Sequence, residues 1–262
     1  MTNSEFSAAT YNVLANAYVR PDRYRGCPPG SLEPGPRRRL LLDRIAALDV
    51  DLLCLQEVEP DAHEAIAARL GSAYAGVYAQ RRARPDGASL FVRRSCLSLE
   101  RHEVLHYRTH AERDDQLALL GQLRLGDRRL LVASTHLQWC ADTTPPDQHL
   151  GRGQMIELLD HLAREGSGAT WILAGDLNAV SQSSVVEVAL ARGLVLGAKT
   201  QRPWDTCNAN GRPRKLDYLL VSAGQLDARP GVLPTLRRDT PMPSSSEPSD
   251  HLPLRIDFRF MD

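Results

Sequence analysis

Six short stretches plant acids, amides or imidazoles at the ends of apolar runs. TYN carries Asn12, LCLQEVE carries Glu57, and VASTHLQW carries His136. LAGDLNAV carries Asp176 and Asn178, RKLDYLLV carries Asp217, and PSDHLPL carries Asp250 and His251. A buried charge is costly unless it is paired or bound to a metal. A chain that repeats this interruption is therefore expected to gather the polar groups on one rim. The donors are mostly oxygens: Glu57, Asp250, Asp176 and the amide of Asn12 suit a hard cation, Mg2+ first and Mn2+ as the alternative. His136 and His251 can donate to non-bridging phosphate oxygens, and Asp217 can fix the tautomer of a histidine. Asp176 can accept a proton from an attacking water, with Asn178 holding that water or the phosphorane-like state. Together these groups supply what metal-assisted phosphoester hydrolysis requires.

Each residue also has a plainer reading. Asp176 and Asn178 can form an Asx turn after a strand, and Glu57 can be a solvated strand end. Asp250 and His251 can form a cap-like turn, Asn12 can cap a turn, and Asp217 can pair with Lys215 or an arginine. His136 can be a satisfied core histidine. The glycine ahead of Asp176 and the recurrence of the pattern favour the functional reading. Arg81, Arg82 and Arg84 form a basic run that is either a solvated face or a contact for substrate phosphate, with Arg81 the candidate. Trp139 and Trp204 are packing residues or base-stacking surfaces, Trp139 being the substrate-binding candidate. His63, His102, His106, His110, His149 and His161 are assigned to the surface.

The elements that must position these groups are short and bounded by turn residues. AATYNVL, DLLCLQ, GASLFVRR, LALLGQLRL, RRLLVASTHL, TWILAGDL, LDYLLVS and LPLRIDFRF read as strands, several apolar on both faces as in covered sheets. PRRRLLLDRIAALD reads as a helix opened by Pro36, with Leu40, Leu41, Ile45 and Leu48 on one face. PDAHEAIAARLG and GRGQMIELLDHLARE read as two more helices. Strict strand–helix alternation is missing, so a mostly antiparallel α/β sandwich is expected. Loops are expected over VRPDRYRGCPPGSLEPG and TLRRDTPMPSSSEPS, where long irregular segments usually carry function.

The 262 residues, 42% hydrophobic, can form one large domain over residues 1–262. Lys+Arg 32 balances Asp+Glu 32, which weakens the case for a long polyanion or a membrane surface as partner. The 5 cysteines lie far apart, with no CxxC pair to suggest zinc and no dense disulfide framework. The N-terminus lacks a signal pattern, and no apolar run reaches transmembrane length. The expectation is a cytoplasmic monomer without a membrane association or obligate protein partner.

In their order along the chain, Asn12, QEVE, THL, GDLN, LDY and SDH resemble the endonuclease/exonuclease/phosphatase superfamily. That resemblance implies a four-layer α/β/β/α sandwich of two mostly antiparallel sheets, DNase-I-like, with a metal site at one end. The stretch TYNVLANAYV, the following YRGCP loop, RPDGASLFVRR and PMPSSSEPSDHLPL are similar to the deadenylase/nocturnin/Angel group. Members of that group act on poly(A), 2′-5′ oligoadenylate, the 2′-phosphate of NADP(H) or RNA 2′,3′-cyclic phosphate ends. The resemblance thus implies a Mg2+-dependent phosphoesterase acting on a nucleotide or RNA terminus. The chain departs from the group by its compactness and by its aromatic content of 5%, which offers no evident platform for several bases. Two alternatives stand beside it. A phospholipid or inositol-phosphate hydrolase lacks support, since RKLDYLLV carries no Trp-Cys-Asp-Arg word and no hydrophobic membrane loop is visible. A non-catalytic nucleotide-binding module would have no need of unpaired carboxylates facing one another.

Overall fold

The structure is a computed structural model and describes residues 4–109, 115–166, 168–198, 204–231, 236, 239 and 241–261. In chain order the elements are β1 (Glu5–Asn12), α1 (Pro34–Leu48), β2 (Leu52–Val58), α2 (Pro60–Leu70), β3 (Tyr74–Gln80) and β4 (Gly87–Arg93). There follow β5 (Ser98–His106), β6 (Leu117–Leu125), β7 (Arg128–His136), α3 (Leu150–Glu165), β8 (Thr170–Asp176) and α4 (Ser184–Ala191). The chain finishes with β9 (Leu194–Leu196), β10 (Asp217–Ser222), β11 (Leu226–Pro230) and β12 (Leu254–Phe260).

Two six-stranded sheets result, ordered β11-β12-β1-β2-β4-β3 and β5-β6-β7-β8-β10-β9. The unbroken apolar runs have a direct cause: both faces of the central strands are covered. On one face Ala8, Leu52, Cys54 and Leu90 meet Leu119, Val132, Ile172 and Leu219 of the other sheet. On the outer face of the first sheet, Ala9, Leu53 and Leu55 pack under Leu41, Ile45 and Ile66 of α1 and α2. Leu131, Leu173 and Leu220 pack under Leu158, Leu159 and Val186 of α3 and α4. The expected four-layer α/β/β/α order is what the packing shows.

Each sheet holds one parallel pair, β1–β2 and β7–β8; the remaining pairs are antiparallel. The crossovers α1 and α3 make those parallel pairs possible. Both pairs run toward the same end of the sandwich, where the apolar core gives way to polar contacts. Thr10 Oγ1 donates to Gln56 Oε1 (3.3 Å), and Gln56 Nε2 donates across the sheets to Ser134 Oγ (3.2 Å).

Several local readings change. Helix α1 starts at Pro34, not Pro36, and its inner face begins with Arg37 ahead of Leu41 and Ile45, leaving Leu40 half-exposed. Arg37 is tolerated inside because its guanidinium donates to Val13 O (3.2 Å) and Pro248 O (3.0 Å). Strands β3, β5, β9 and β11 and helix α4 carry no clear periodic signal; β5 is largely exposed, so it never needed one. The histidines also divide: His149 is buried and caps α3 by accepting from Arg152 N, whereas His63 is half-buried, stacked between Tyr78 and Phe91. His110 lies outside the described residues.

Candidate active site

Strand register brings the predicted residues together. β7 and β8 are parallel with His136 opposite Asp176, while β10 runs antiparallel with Asp217 opposite the same Asp176. Gly175 permits the first pairing, since a Cβ there would lie 1.8 Å from Thr135 O. In the other sheet Asn12 lies opposite Gln56, and the ladder between β2 and β4 shifts between Leu55 and Val58. Glu57 sits in that bulge with φ 55°, a conformation a non-glycine residue adopts only when its surroundings enforce it. Asn178 sits at φ 49° just beyond β8. Left-handed backbone at two polar residues of one rim marks a place where function is to be looked for.

Asp176, 1% exposed, is the hub. Its Oδ2 accepts from Asn12 Nδ2 (3.0 Å) and faces His136 Nε2 at 3.5 Å and His251 Nε2 at 3.6 Å; its Oδ1 accepts from Asn178 N (2.8 Å). Asn12 Nδ2 also donates to Glu57 Oε1 (3.0 Å), and Ala15 N donates to Glu57 Oε2 (3.2 Å). Asn178 Nδ2 lies 2.8 Å from His136 Nε2 and donates to Leu137 O (3.0 Å). Behind the hub, His251 Nδ1 meets Asp217 Oδ2 at 2.9 Å, and Tyr24 donates its hydroxyl to Asp250 Oδ2 (3.0 Å). Ser249 Oγ donates to Asn12 O (2.7 Å), tying the Ser-Asp-His segment to the end of β1.

These groups surround a cavity of about 400 Å³ lined by Glu57, His136, Asp176, Asn178, Asp250 and His251, with Trp139 at its margin. Trp139 is 53% exposed, so it contributes little to packing. Trp204, by contrast, packs on the inter-sheet core. Asn12 and Asp217 stand one layer behind the lining, where Asn12 braces two carboxylates and Asp217 braces an imidazole. Arg81 does not reach the cavity as a substrate contact. It is buried against Asp86 (3.6 Å) and Asp115 (3.1 Å), because those carboxylates supply the partners that an inward guanidinium requires. Asp86 in turn accepts from the hydroxyl of Tyr18, which does line the cavity. Tyr18, Tyr24 and the arginines Arg23, Arg212 and Arg214, which also line the cavity, were missed in the sequence. Only the YRGCP loop gave a signal for Tyr24.

The electrostatics suit a cation. Burial raises the Glu57 carboxyl above its ordinary range; His136 opposes that rise and Asp250 adds to it. Among the described residues the ion-pair partners of Glu57, Asp176 and Asp217 are imidazoles, with no lysine or arginine. His136 Nδ1 is buried without a hydrogen-bond partner among them and faces Glu57 Oε1 at 3.9 Å. A divalent ion between Glu57 and Asp250 would relieve their repulsion, so the oxygen donors fit one. For His251, burial opposes the charged ring, yet Asp217, Cys207 and Asp176 raise its pKa well above the ordinary value.

The sequence pattern of the endonuclease/exonuclease/phosphatase family matches residues 9–251, spanning every one of these site residues. The chain belongs to this family. It is accordingly a hydrolase acting on ester bonds. Nocturnin of Xenopus laevis is 29% identical over 287 residues, covering 97% of this chain and 72% of nocturnin. Nocturnin of Homo sapiens is 27% identical, covering 100% and 67%. Among solved structures, the catalytic domain of human nocturnin with bound sulfate superposes with a TM-score of 0.77 at 25% identity, covering 100% of this chain and 95% of that one. ANGEL2, a 2′,3′-cyclic phosphatase, in complex with adenosine-2′,3′-vanadate, shares the fold with a TM-score of 0.82 at 22% identity, covering 98% and 96%. The relatives found include members of the group that the loops resemble.

Proposed function

We propose that the chain is a Mg2+-dependent phosphoesterase that hydrolyses a phosphodiester or phosphomonoester at a nucleotide or RNA terminus. The carrying observation is Asp176: one buried carboxylate within 3.6 Å of two imidazoles and braced by Asn12, facing the same cavity as Glu57 and Asp250. The Saccharomyces cerevisiae Ccr4, a 3′-5′-exoribonuclease subunit, supports the reading at 25% identity over 98% of this chain and 39% of that protein.

Glu57 and Asp250, with Asp176 beside them and the Asn12 amide bracing Glu57 and Asp176 from behind, would hold Mg2+, which supplies neutralisation of phosphate charge and a more acidic water. The remaining roles fall to the chain itself. Asp176 accepts the proton of the attacking water, and Asn178, fixed by Leu137 O, orients that water. His251, kept protonated by Asp217, donates from Nε2 to a non-bridging phosphate oxygen. His136 donates to a second one, and Trp139 gives the terminal base a surface to stack on. A cavity of about 400 Å³ accepts one nucleotide-sized group.

The test is a substrate panel of oligo(A), 2′-5′ oligoadenylate, NADP+ and 2′,3′-cyclic-ended RNA, beside sphingomyelin and inositol phosphates. Turnover of a nucleotide substrate with Mg2+ or Mn2+, and its loss in chelator, is the expected result. Turnover that persists in chelator, or is confined to the lipid and inositol substrates, overturns the reading.

A further inference from the structure

The fold brings a thiol into the acid-and-imidazole end of the sandwich. Cys207 forms backbone bridges with Arg214 on one side and His251 on the other, and Asn208 N donates to Asp250 O (2.9 Å) while Leu252 N donates to Thr206 O (2.7 Å). The segment around Cys207 is thereby zipped to the segment carrying Asp250 and His251. One ligand atom from each of Cys207, Asp250 and His251 lies within 4.8 Å of the other two, all three residues are buried, and all three line the cavity.

This donor set shares Asp250 with the oxygen set but differs from it in kind, because it adds a thiol and an imidazole. Mg2+ takes oxygen ligands and leaves thiolates alone, whereas Zn2+ takes sulfur, nitrogen and oxygen together. With Zn–ligand bonds of about 2.0–2.3 Å, tetrahedral donors lie about 3.5 Å apart, so side-chain shifts of about 1 Å close the site. A second observation points the same way. Asp217 holds His251 Nδ1 at 2.9 Å, the carboxylate–histidine arrangement that presents Nε2 to a metal.

We propose that Cys207, Asp250 and His251 form a binding site for a thiophilic divalent cation, Zn2+ above all, and that its occupation shuts down the phosphoesterase. The inhibition half rests on the function proposed above. Binding displaces two protons to solvent, that of the Cys207 thiol and that on His251 Nε2, and takes two groups away from catalysis: the Nε2 that serves phosphate and the Asp250 carboxylate that serves Mg2+. The site therefore discriminates between metals by where they settle, productive for a hard ion and blocking for a soft one.

The experiment titrates Zn2+ against Mg2+-supported turnover in the wild type, in Cys207→Ser and in the shape-conserving Cys207→Val, each checked for its thermal unfolding transition. In parallel, Co2+ is titrated and the thiolate-to-cobalt charge-transfer absorption is recorded. The wild type should be inhibited and show the absorption. Both variants should keep Mg2+-supported turnover, lose the absorption, and need at least about tenfold more Zn2+ for the same inhibition. Equal zinc sensitivity in wild type and variants overturns the proposal, as does a wild-type cobalt complex without the absorption. The cobalt signal requires no turnover, so it separates failure of the metal site from failure of the assigned reaction.

Discussion

The two ends of strand β1 treat charge in opposite ways. At its start, charges are exposed and matched. Arg255 meets Asp257 at 3.2 Å, Arg229 meets Asp227 at 3.7 Å, and Asp51 accepts from Ser7 N and Oγ at 2.8 Å each. At its finish, Asp176, Asp217 and Asp250 are buried, and Glu57 nearly so, among imidazoles, amides and one another. Solvent and paired cations make the first arrangement cheap to hold. The second is unfavourable in isolation and persists because the apolar layers on either side fix the strands that carry it. A third arrangement, Arg81 between Asp86 and Asp115, is buried but matched, and shows what the chain does when a charge is structural.

Substitutions can break this contrast at each place. Asp176→Asn at the catalytic end should lower kcat by about 10³-fold or more, since the proton acceptor is lost. Its stability should change by no more than about 1 kcal/mol, because relief of buried repulsion offsets altered hydrogen bonding. Steady-state kinetics and urea unfolding of one preparation read both; near-normal turnover would remove Asp176 from the mechanism. Arg81→Met should do the reverse. Leaving Asp86 and Asp115 without their buried cation costs about 3 kcal/mol in urea unfolding. It should raise KM through Tyr18 while kcat is largely kept, and an unchanged unfolding midpoint would show the ion pair to be idle. The smallest effect belongs to the matched end, where Arg255→Gln should cost less than about 1 kcal/mol and leave kcat and KM unchanged. A larger loss there would mean that exposure is no guide to the weight of a charge in this molecule.

Much of this was legible along the chain. The strand ends at Asn12, Glu57, His136, Asp176 and Asp217 were marked by apolar runs breaking on a polar group, and the structure gathers all five at one rim. Gly175 announced a close backbone approach, and Thr135 O is what it approaches. Illegible were residues whose partners lie on other elements. Arg81 in a basic run gave no hint of Asp115, and Tyr24 in an irregular loop gave none of Asp250, 226 residues away. Helix α4 was invisible because its valines resemble a strand run; Ser183, accepting from Val186 N, is the local mark of its start.

The amino-acid order by itself determined which segments are covered on both faces and which chemical groups interrupt them, and hence the expectation of hard-cation and phosphate chemistry. Only the tertiary structure decided which group lies against which. It placed Asn12 beneath Glu57 and Asp176, 164 residues from the latter, set Asp217 behind His251, and carried Cys207 to Asp250 despite spacing that held no zinc signal. The physical reason is range. Burial pattern is a property of a few neighbouring residues, whereas ligand geometry depends on strand register and on a bulge at Glu57, which are settled only when both sheets close on one another.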